Sequence, residues 1–226
     1  HVGSAKVVDV STDMVAVFDS QQISVFKATD GTLLLREPVC RNSYLAHIYD
    51  AKLYFPCSGM TAVSIDSGET VWETKENSAS TAAAYSDGVL YSNLSVDVIT
   101  ALDLEKQQQI WSVPLPSGYI SEIKVADEFL LVSDGNLCVL QRQDGKKLWC
   151  KDSVITQQNP AKLGDAVYIL NSTQNMIAAF DIHNGTELGQ LRMSKFKPIT
   201  TFGQLMVSSD ELLIFAIGKE VFAFGK

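Results

Sequence analysis

The chain has 226 residues and a formal net charge of −8, with 46% hydrophobic and 19% charged residues. This composition suits a folded domain with a large apolar core and excludes a disordered chain. Lysine and arginine form no cluster that could neutralise phosphates, so we expect no nucleic-acid partner. The longest strongly apolar run, Leu212–Ile217, is far shorter than the roughly 20 residues of a spanning helix. We therefore expect no membrane span in this chain.

A repeat with a period of 37 to 40 residues runs along almost the whole sequence. Each copy has an apolar strand, a turn with glycine in four of the five copies, and an anchor residue four positions after the glycine position. Glycine supplies the positive φ that a tight hairpin needs. Gln107 replaces it in the third copy and predicts a looser turn there. The copies are 27–35, 64–72, 103–111, 141–149 and 181–189, ending on Leu35, Trp72, Trp111, Trp149 and Gly189.

The predicted strands fall into groups along the chain, and each group precedes one of the turns or ends the sequence. Alternating apolar residues and turn pairs such as Asp87-Gly88 and Gly164-Asp165 mark them. With the anchor strand, each full group has four short strands in about 40 residues, which is one propeller blade. The predicted strands are 13–18 and 23–26; 46–48, 53–55 and 61–63; 80–85, 89–92 and 98–102; 121–125, 129–133 and 137–140; 160–163, 166–170 and 176–180; and 201–208, 212–217 and 221–224.

We therefore predict an all-β fold, a β-propeller of four-stranded antiparallel blades, with about five or six blades present. Residues 1–226 are expected to form a single propeller domain. The incomplete units at both ends predict closure by strands from the two termini, or a chain cut from a larger propeller. Because it begins at His1, the chain is expected to be a processed product or an excised piece. A β-sandwich is the alternative, but sandwiches do not repeat at a constant period.

Residues 101–111 resemble the pyrroloquinoline-quinone (PQQ)-like repeat, whose pattern is close to Ala-Leu-Asp-x-x-Thr-Gly-x-x-x-Trp. Residues 61–72 and 138–149 resemble it as well, and the similarity spans almost the whole chain. The resemblance implies blade architecture, with the anchors as docking residues between neighbouring blades. A stacking platform for a flat ligand is the alternative role of the tryptophans, but their recurrence at the repeat period favours docking. The predicted anchors are Leu35, Trp72, Trp111 and Trp149.

No catalytic constellation stands out in the sequence. Quinoprotein dehydrogenases with such repeats carry adjacent cysteines, calcium-binding carboxylates and an aspartate base, and this chain has no adjacent cysteines. His1 is terminal, His47 lies in a predicted strand and His183 lies in a predicted turn. We therefore predict that the protein is not an enzyme and has no catalytic residue, cofactor or metal. Carboxylates near the turns are expected to bond their own backbone, and these are Asp66, Asp103, Asp144 and Asp181.

The pairing of the four cysteines bears on the cellular compartment of the protein. Cys138 and Cys150 lie on neighbouring strands of one hairpin, so a cross-strand disulfide is feasible if the register allows it. Cys40 and Cys57 flank the first blade junction and could also pair. Four buried free thiols are the alternative.

Three glycosylation-type sequons begin at Asn93, Asn171 and Asn184, and all three fall in predicted turns. Exposed turns are where a glycan is tolerated. Together with the cysteines, the sequons favour the eukaryotic secretory pathway and its endoplasmic reticulum lumen. The bacterial periplasm is the alternative compartment.

Two known propellers with this repeat type suggest a non-catalytic function. The chain is similar in repeat type and compartment to the large lumenal subunit (subunit 1) of the endoplasmic reticulum membrane protein complex, a membrane-protein insertase. It is also similar to the periplasmic propeller of the bacterial β-barrel assembly machinery. The resemblance implies a scaffold that binds other protein subunits of a membrane-associated assembly. A quinoprotein-like ligand-binding or dehydrogenase domain is the third alternative.

Overall fold

The structure, a computed structural model, is built almost entirely of β-strands. Within the part of the chain that it describes, no helix is long and apolar enough to cross a membrane. The chain divides into two compact units, His1–Pro114 and Leu115–Lys226. The described residues are 6–19, 22–38, 45–57, 59–74, 82–95, 97–115, 120–133, 136–152, 160–171, 176–192, 205–208, 212–217 and 220–225.

The first unit contains three four-stranded antiparallel sheets, in each of which every strand pairs with the next along the chain. We number these sheets as blades 1 to 3. Blade 1 consists of β1 (Lys6–Val10), β2 (Met14–Phe18), β3 (Gln22–Lys27) and β4 (Leu33–Pro38). Blade 2 consists of β5 (His47–Tyr49), β6 (Lys52–Pro56), β7 (Met60–Ser64) and β8 (Thr70–Glu73). Blade 3 consists of β9 (Ala83–Ser86), β10 (Val89–Ser95), β11 (Val98–Asp103) and β12 (Gln108–Pro114).

The second unit contains two more four-stranded sheets and, among its described residues, one sheet of three strands. Blade 4 consists of β13 (Glu122–Ala126), β14 (Phe129–Ser133), β15 (Leu137–Gln141) and β16 (Lys147–Lys151). Blade 5 consists of β17 (Ala161–Leu163), β18 (Ala166–Asn171), β19 (Met176–Asp181) and β20 (Glu187–Arg192). Blade 6 consists of β21 (Leu205–Ser208), β22 (Leu212–Ile217) and β23 (Glu220–Gly225).

In blades 2 to 5 the core lies on both faces of the two middle strands. All five residues of β14 are buried, and so are the first four residues of β15. In contrast, all six residues of the fourth strand of blade 5, β20, are exposed. Strands buried on both faces have continuous apolar runs rather than an alternating pattern, which explains why Leu130, Leu131 and Val132 follow one another.

Blade 1 is complete, and this corrects the expectation of a partial unit at the start of the chain. Its first strand, β1, was missed because Lys6 and Asp9 interrupt the apolar pattern of this segment. The strand nevertheless pairs with β2 along its length, with a bulge between Val7 and Asp9. Asp9 is accommodated because its carboxylate accepts a hydrogen bond from the backbone N–H of Ile48 in blade 2, at 2.7 Å.

The turn before β12 also differs from the prediction. Gln107 has a φ of 55°, in the same left-handed region as the glycines of the other four copies, whose φ values are 71° to 73°. The predicted looser turn is therefore wrong, because Gln107 adopts a conformation that favours glycine. The Asp103 carboxylate accepts hydrogen bonds from the backbone N–H and the Nζ of Lys106, at 2.8 and 2.7 Å, and these bonds hold the turn.

Candidate functional site

A β-bulge occurs at the same place in five blades, directly before the anchor residue. In blade 4, Val139 pairs with Trp149 and Leu140 pairs with Lys147, so Leu148 is skipped in the register. An extra residue of this kind bends the strand and re-aims the side chains that follow it. The bulge therefore sets the direction of the anchor side chain. The skipped residues are Leu34, Val71, Ile110, Leu148 and Leu188.

Trp149 shows in atomic detail how an anchor contacts the next blade. Its Nε1 donates a hydrogen bond to the backbone carbonyl of Ile182 in blade 5, at 2.7 Å. Its indole ring lies against Gly185, where an added Cβ would stand 2.8 Å from a ring carbon. Glycine is therefore required at position 185 both by its φ of 72° and by the ring that covers it. Trp149 thus joins blade 4 to blade 5 by packing and by one directed hydrogen bond.

The other predicted anchors lie at the equivalent positions on the fourth strands. The Cδ1 of Leu35 in blade 1 stands 3.8 Å from the Cβ position of Gly68 in the turn of blade 2. Trp111 lies beside Tyr91 of its own blade, with ring centroids 5.9 Å apart. Trp72 packs against a buried cluster that joins blades 2 and 3, and this cluster consists of Tyr54, Met60, Ala62, Leu90, Leu102 and Leu104.

Gly189 stands at the anchor position of blade 5 and leaves space between blades 5 and 6. A cavity of about 300 Å³ opens there, and a Cβ added at Gly189 would meet no atom within 4 Å. The absence of an anchor side chain accounts for this cavity, since Trp149 fills the corresponding space one blade earlier. The lining residues are Leu163, Tyr168, Ile177, Ala179, Gly189, Gln190, Leu191, Leu213 and Phe224.

The structure confirms a disulfide between Cys138 and Cys150, with an S–S distance of 2.05 Å. The two residues lie directly opposite each other on β15 and β16. Cys57 is also disulfide-bonded, whereas Cys40 lies outside the described residues. The alternative of four free thiols is therefore wrong.

The three sequon asparagines lie in different environments. Asn93 lies within β10 rather than in a turn, is only 3% exposed, and accepts the backbone N–H of Ala82 at 2.9 Å. The turn predicted for this sequon is therefore wrong, because β10 extends three residues beyond the predicted strand end. Asn171 is the last residue of β18 rather than a turn residue, and its side chain lies outside the described part. Asn184 is exposed in the predicted turn between β19 and β20.

A cluster of three polar side chains joins the first strands of blades 1, 2 and 3. The Nδ1 of His47 on β5 lies 3.1 Å from the Oδ2 of Asp9 on β1. The ring of Tyr85 on β9 stacks on His47, with centroids 4.1 Å apart, and its hydroxyl donates to the backbone carbonyl of Leu45 at 2.9 Å. His47 and Asp9 side chains are 26% and 20% exposed. The cluster is thus half-buried and internally bonded.

Electrostatics in this cluster favour an ionised Asp9 beside a neutral Tyr85. Burial alone would raise the pKa of Asp9, but hydrogen bonds from His47 and from the backbone N–H of Ile48, together with the charge of His47, hold it below its usual value. Burial and the negative charge of Asp9 raise the pKa of Tyr85 well above its usual value. Because Asp9 and Tyr85 stand 76 positions apart in the sequence, only the contact between blades shows that they belong together.

Two further titratable groups lie on the first strand of blade 4. Burial raises the pKa of Glu122 to about 7, although the neighbouring charge of Lys124 opposes this shift. Burial also lowers the pKa of Lys124. Sequence reasoning missed both, because Glu-x-Lys on an alternating strand has the pattern of a solvated face.

Nothing in the described ranges assembles a metal centre, since no three His, Cys, Asp or Glu side chains come together there. His183 is exposed, with Nε2 3.8 Å from the carboxylate of Asp165. The turn carboxylates behave as predicted in three copies, because they accept hydrogen bonds from nearby backbone N–H groups. These pairs are Asp103 with Lys106, Asp144 with Lys146, and Asp181 with His183.

Comparison with solved structures shows the same fold in several propellers. BamB from Moraxella catarrhalis superimposes with a TM-score of 0.76 and 18% identity, over 99% of this chain and 70% of that one. A computationally designed protein, Ika8, gives 0.73 and 16%, over 100% and 72%. The Cps50 (Swd1) β-propeller domain of Myceliophteria thermophila gives 0.69 and 12%, over 96% and 81%. These likenesses confirm the predicted β-propeller.

Comparison with curated proteins and with family models gives different results. No curated protein matches the sequence. One family model, described as outer membrane protein assembly factor BamB, matches residues 58–225. This match covers well over half of the chain and includes four of the five repeat copies. The chain therefore belongs to the PQQ-like repeat family described as outer membrane protein assembly factor BamB.

Proposed function

We propose that this protein is a non-catalytic scaffold that binds other protein subunits of a membrane-associated assembly outside the cytosol. The observation that carries the proposal is membership of a family described as an assembly factor, over residues 58–225. Four-stranded blades joined by turns present many loops, which suits the binding of several partners. Several titratable groups of the described part bond to one another, as in the pairs of Asp9 with His47 and of Lys162 with Asp127, and this supports a structural role for them.

The disulfide state supports a compartment outside the cytosol. Cys138 and Cys150 are bonded to each other, and Cys57 is bonded as well. Disulfides persist in the endoplasmic reticulum, the periplasm and the extracellular space, and they are rare in the cytosol. Within this range we propose the endoplasmic reticulum lumen, because the Asn184 sequon is exposed in a turn.

The bacterial periplasm is the second candidate compartment. The family description favours it, since the matching model is described as an outer membrane protein assembly factor. In that case the scaffold would serve the assembly of outer-membrane β-barrels. The two candidates share the same chemistry of action, namely binding to protein subunits without catalysis.

Affinity purification of the tagged full-length protein from membranes tests the proposal. We expect stoichiometric co-purification of other subunits, at least one of them membrane-embedded, with chemical cross-links to lysines of the blades. Isolation of the protein alone, with no cross-linked partner, would contradict the scaffold role.

A separate assay tests the quinoprotein alternative. The protein is supplied with the quinone cofactor, calcium and an alcohol or sugar substrate, with a dye as electron acceptor. The scaffold proposal predicts no dye reduction above that of a heat-denatured sample. Sustained turnover would replace the proposal with an enzymatic one.

A further inference from the structure

The sequon Asn184-Gly185-Thr186 forms the turn between β19 and β20. Asn184 and Thr186 are exposed, whereas Gly185 is buried beneath the indole of Trp149. The turn is closed by a hydrogen bond from the N–H of Gly185 to the carbonyl of Asp181, at 2.9 Å, and by one from the N–H of Asp181 to the carbonyl of Thr186, at 2.8 Å. The outer side of the sequon therefore faces solvent while its inner side is fixed.

The hydrogen bonds of Asn184 leave its amide nitrogen available. Its Oδ1 accepts the backbone N–H of Thr186 at 2.8 Å, and its own backbone N–H donates to Asp181 at 3.1 Å. In the described structure no protein group pairs with Nδ2 of Asn184. Since Nδ2 is the atom that carries an N-linked glycan, a glycan there would break no hydrogen bond of the fold.

Asn93 provides the opposite case within the same chain. It is 3% exposed in blade 3 of the first unit, and its Oδ1 accepts the N–H of Ala82 at 2.9 Å. A bulky polar glycan on this side chain would have to occupy the packed interior of blade 3. Because polar groups are costly to bury and interiors are closely packed, a chain modified at Asn93 could not complete this blade.

We propose that Asn184 carries an N-linked glycan and that Asn93 does not. The donor would be a lipid-linked oligosaccharide diphosphate. The bond between the first sugar carbon and the lipid diphosphate breaks, a bond from that carbon to Nδ2 of Asn184 forms, and one amide proton leaves with the diphosphate. This inference deepens the proposed function, on which it rests, because it places the scaffold in the eukaryotic secretory pathway.

The glycan would also prevent partner subunits from binding at one end of blade 5. The turn that carries Asn184 lies beside the turn between β17 and β18, since the N–H of Ile182 donates to the carbonyl of Asp165 at 2.9 Å. The exposed His183 and Asp165 lie at this same end. A glycan there would cover both turns, so partner subunits are expected to bind elsewhere on the domain.

Peptide mass spectrometry of the full-length protein, purified from the cells that make it, tests the proposal. Release of glycans by N-glycosidase in ¹⁸O water converts each modified asparagine to labelled aspartate. We expect the label at Asn184 and none at Asn93. An Asn184 peptide that is unlabelled throughout, or a label at Asn93 in folded protein, would overturn the proposal.

Two matched variants made in the same cells separate modification from folding. Thr186→Val removes the acceptor sequon and keeps Asn184, so we expect the intact protein to lose the mass of one glycan. Ser95→Ala removes the sequon at Asn93 and keeps the hydrogen bond of Asn93, so we expect no loss of glycan mass. Partner capture is measured on the same samples. If partners are captured but Asn184 is unmodified, the scaffold proposal holds and the glycan proposal is wrong. If Asn184 is modified but no partner is captured, the glycan proposal holds and the scaffold proposal is wrong.

Discussion

At the scale of single residues, the turns show how strongly local geometry constrains each repeat. Four of the copies place glycine in the left-handed region, and the third copy places Gln107 there with a φ of 55°. A residue with a Cβ pays a conformational cost in this region of about 1 kcal/mol. The hydrogen bonds of Asp103 to Lys106 hold the turn despite this cost.

We expect Gln107→Gly to stabilise the protein by about 1 kcal/mol, because glycine adopts the left-handed conformation without steric cost. Urea denaturation followed by circular dichroism measures the change in the free energy of unfolding. The reverse substitution in the first copy, Gly31→Gln, is the matched control, because a Cβ added there would meet no atom within 4 Å, and it should destabilise by a similar amount. Equal stability of Gln107→Gly and the natural protein would show that the turn carries no such strain.

Glu122 makes the stability of the second unit depend on pH. Burial raises the folded-state pKa of its carboxyl group to about 7, above the ordinary value of 4.5. The contribution of the protonated carboxyl group to the free energy of unfolding is therefore fully present below about pH 4.5 and is lost as the pH rises through about 7. We expect Glu122→Gln to stabilise the protein at pH 8, by at most about 3 kcal/mol, and to have little effect at pH 4. Urea denaturation at the two pH values measures this difference.

The exposed Glu128 in the turn of the same hairpin provides the control for this experiment. Glu128→Gln should shift the free energy of unfolding by about 0.5 kcal/mol or less at both pH values. A Glu122→Gln effect that is the same at pH 4 and pH 8 would contradict the burial of its carboxyl group.

At the scale of elements, the recurring bulge decides which way each fourth strand directs its anchor. In blade 2, Ala62 pairs with Trp72 and Val63 pairs with Thr70, so Val71 is the extra residue. Side chains alternate between the two faces of a strand, and a shift of one residue moves all that follow to the opposite face. The bulge therefore links the hairpin turn to the packing of Trp72 against blade 3.

We expect deletion of Val71 to destabilise the protein by about 3 kcal/mol or more, because it removes the bulge and takes Trp72 away from its buried neighbours. Denaturation curves and the emission maximum of tryptophan fluorescence report the loss. Val71 itself is 45% exposed, so Val71→Thr should change the stability by about 0.5 kcal/mol or less. Similar costs for the deletion and the substitution would show that the bulge does not set the anchor.

At the scale of the whole molecule, stability depends on how each blade fills the space to its neighbour. Trp149 does so between blades 4 and 5 with packing and a 2.7 Å hydrogen bond. Gly189 leaves a cavity of about 300 Å³ between blades 5 and 6. The two junctions of the second unit thus differ by one side chain at the same position of the repeat.

We expect Gly189→Trp to stabilise the protein by about 1 to 2 kcal/mol, because the indole fills a cavity with apolar lining. Thermal and urea denaturation measure the gain, and the emission of the new tryptophan should show a buried environment. Gly189→Ala is the control, since it adds a Cβ in open space and fills little of the cavity. A tryptophan variant that is less stable than the alanine variant would show that the cavity cannot accept the ring.

The contact between blades also brings together the cluster of Asp9, His47 and Tyr85. Each residue lies on the first strand of a different blade, and none is close to another in sequence. Their contacts tie the first strands of three blades together.

The sequence by itself determined the repeat, and with it the all-β propeller. Turn glycines, apolar strands and anchors recur at a nearly constant spacing, so local rules of turn and strand formation are sufficient to predict them. The disulfide between Cys138 and Cys150 was also accessible from sequence, since both residues belong to one hairpin, although the register decided that they meet. Two sequon asparagines were misplaced because strand ends depend on pairing that the sequence does not show.

Only the tertiary structure decided the properties that arise between strands and between blades. The bulge appears only when the register of two strands is known, because the extra residue has no signal of its own. The burial of Asn93 and of Glu122 depends on the sheets that cover them, as do the contacts of Asp9 with His47 and of Trp149 with Ile182. These are long-range contacts, and a one-dimensional pattern contains no information on which distant residues will share them.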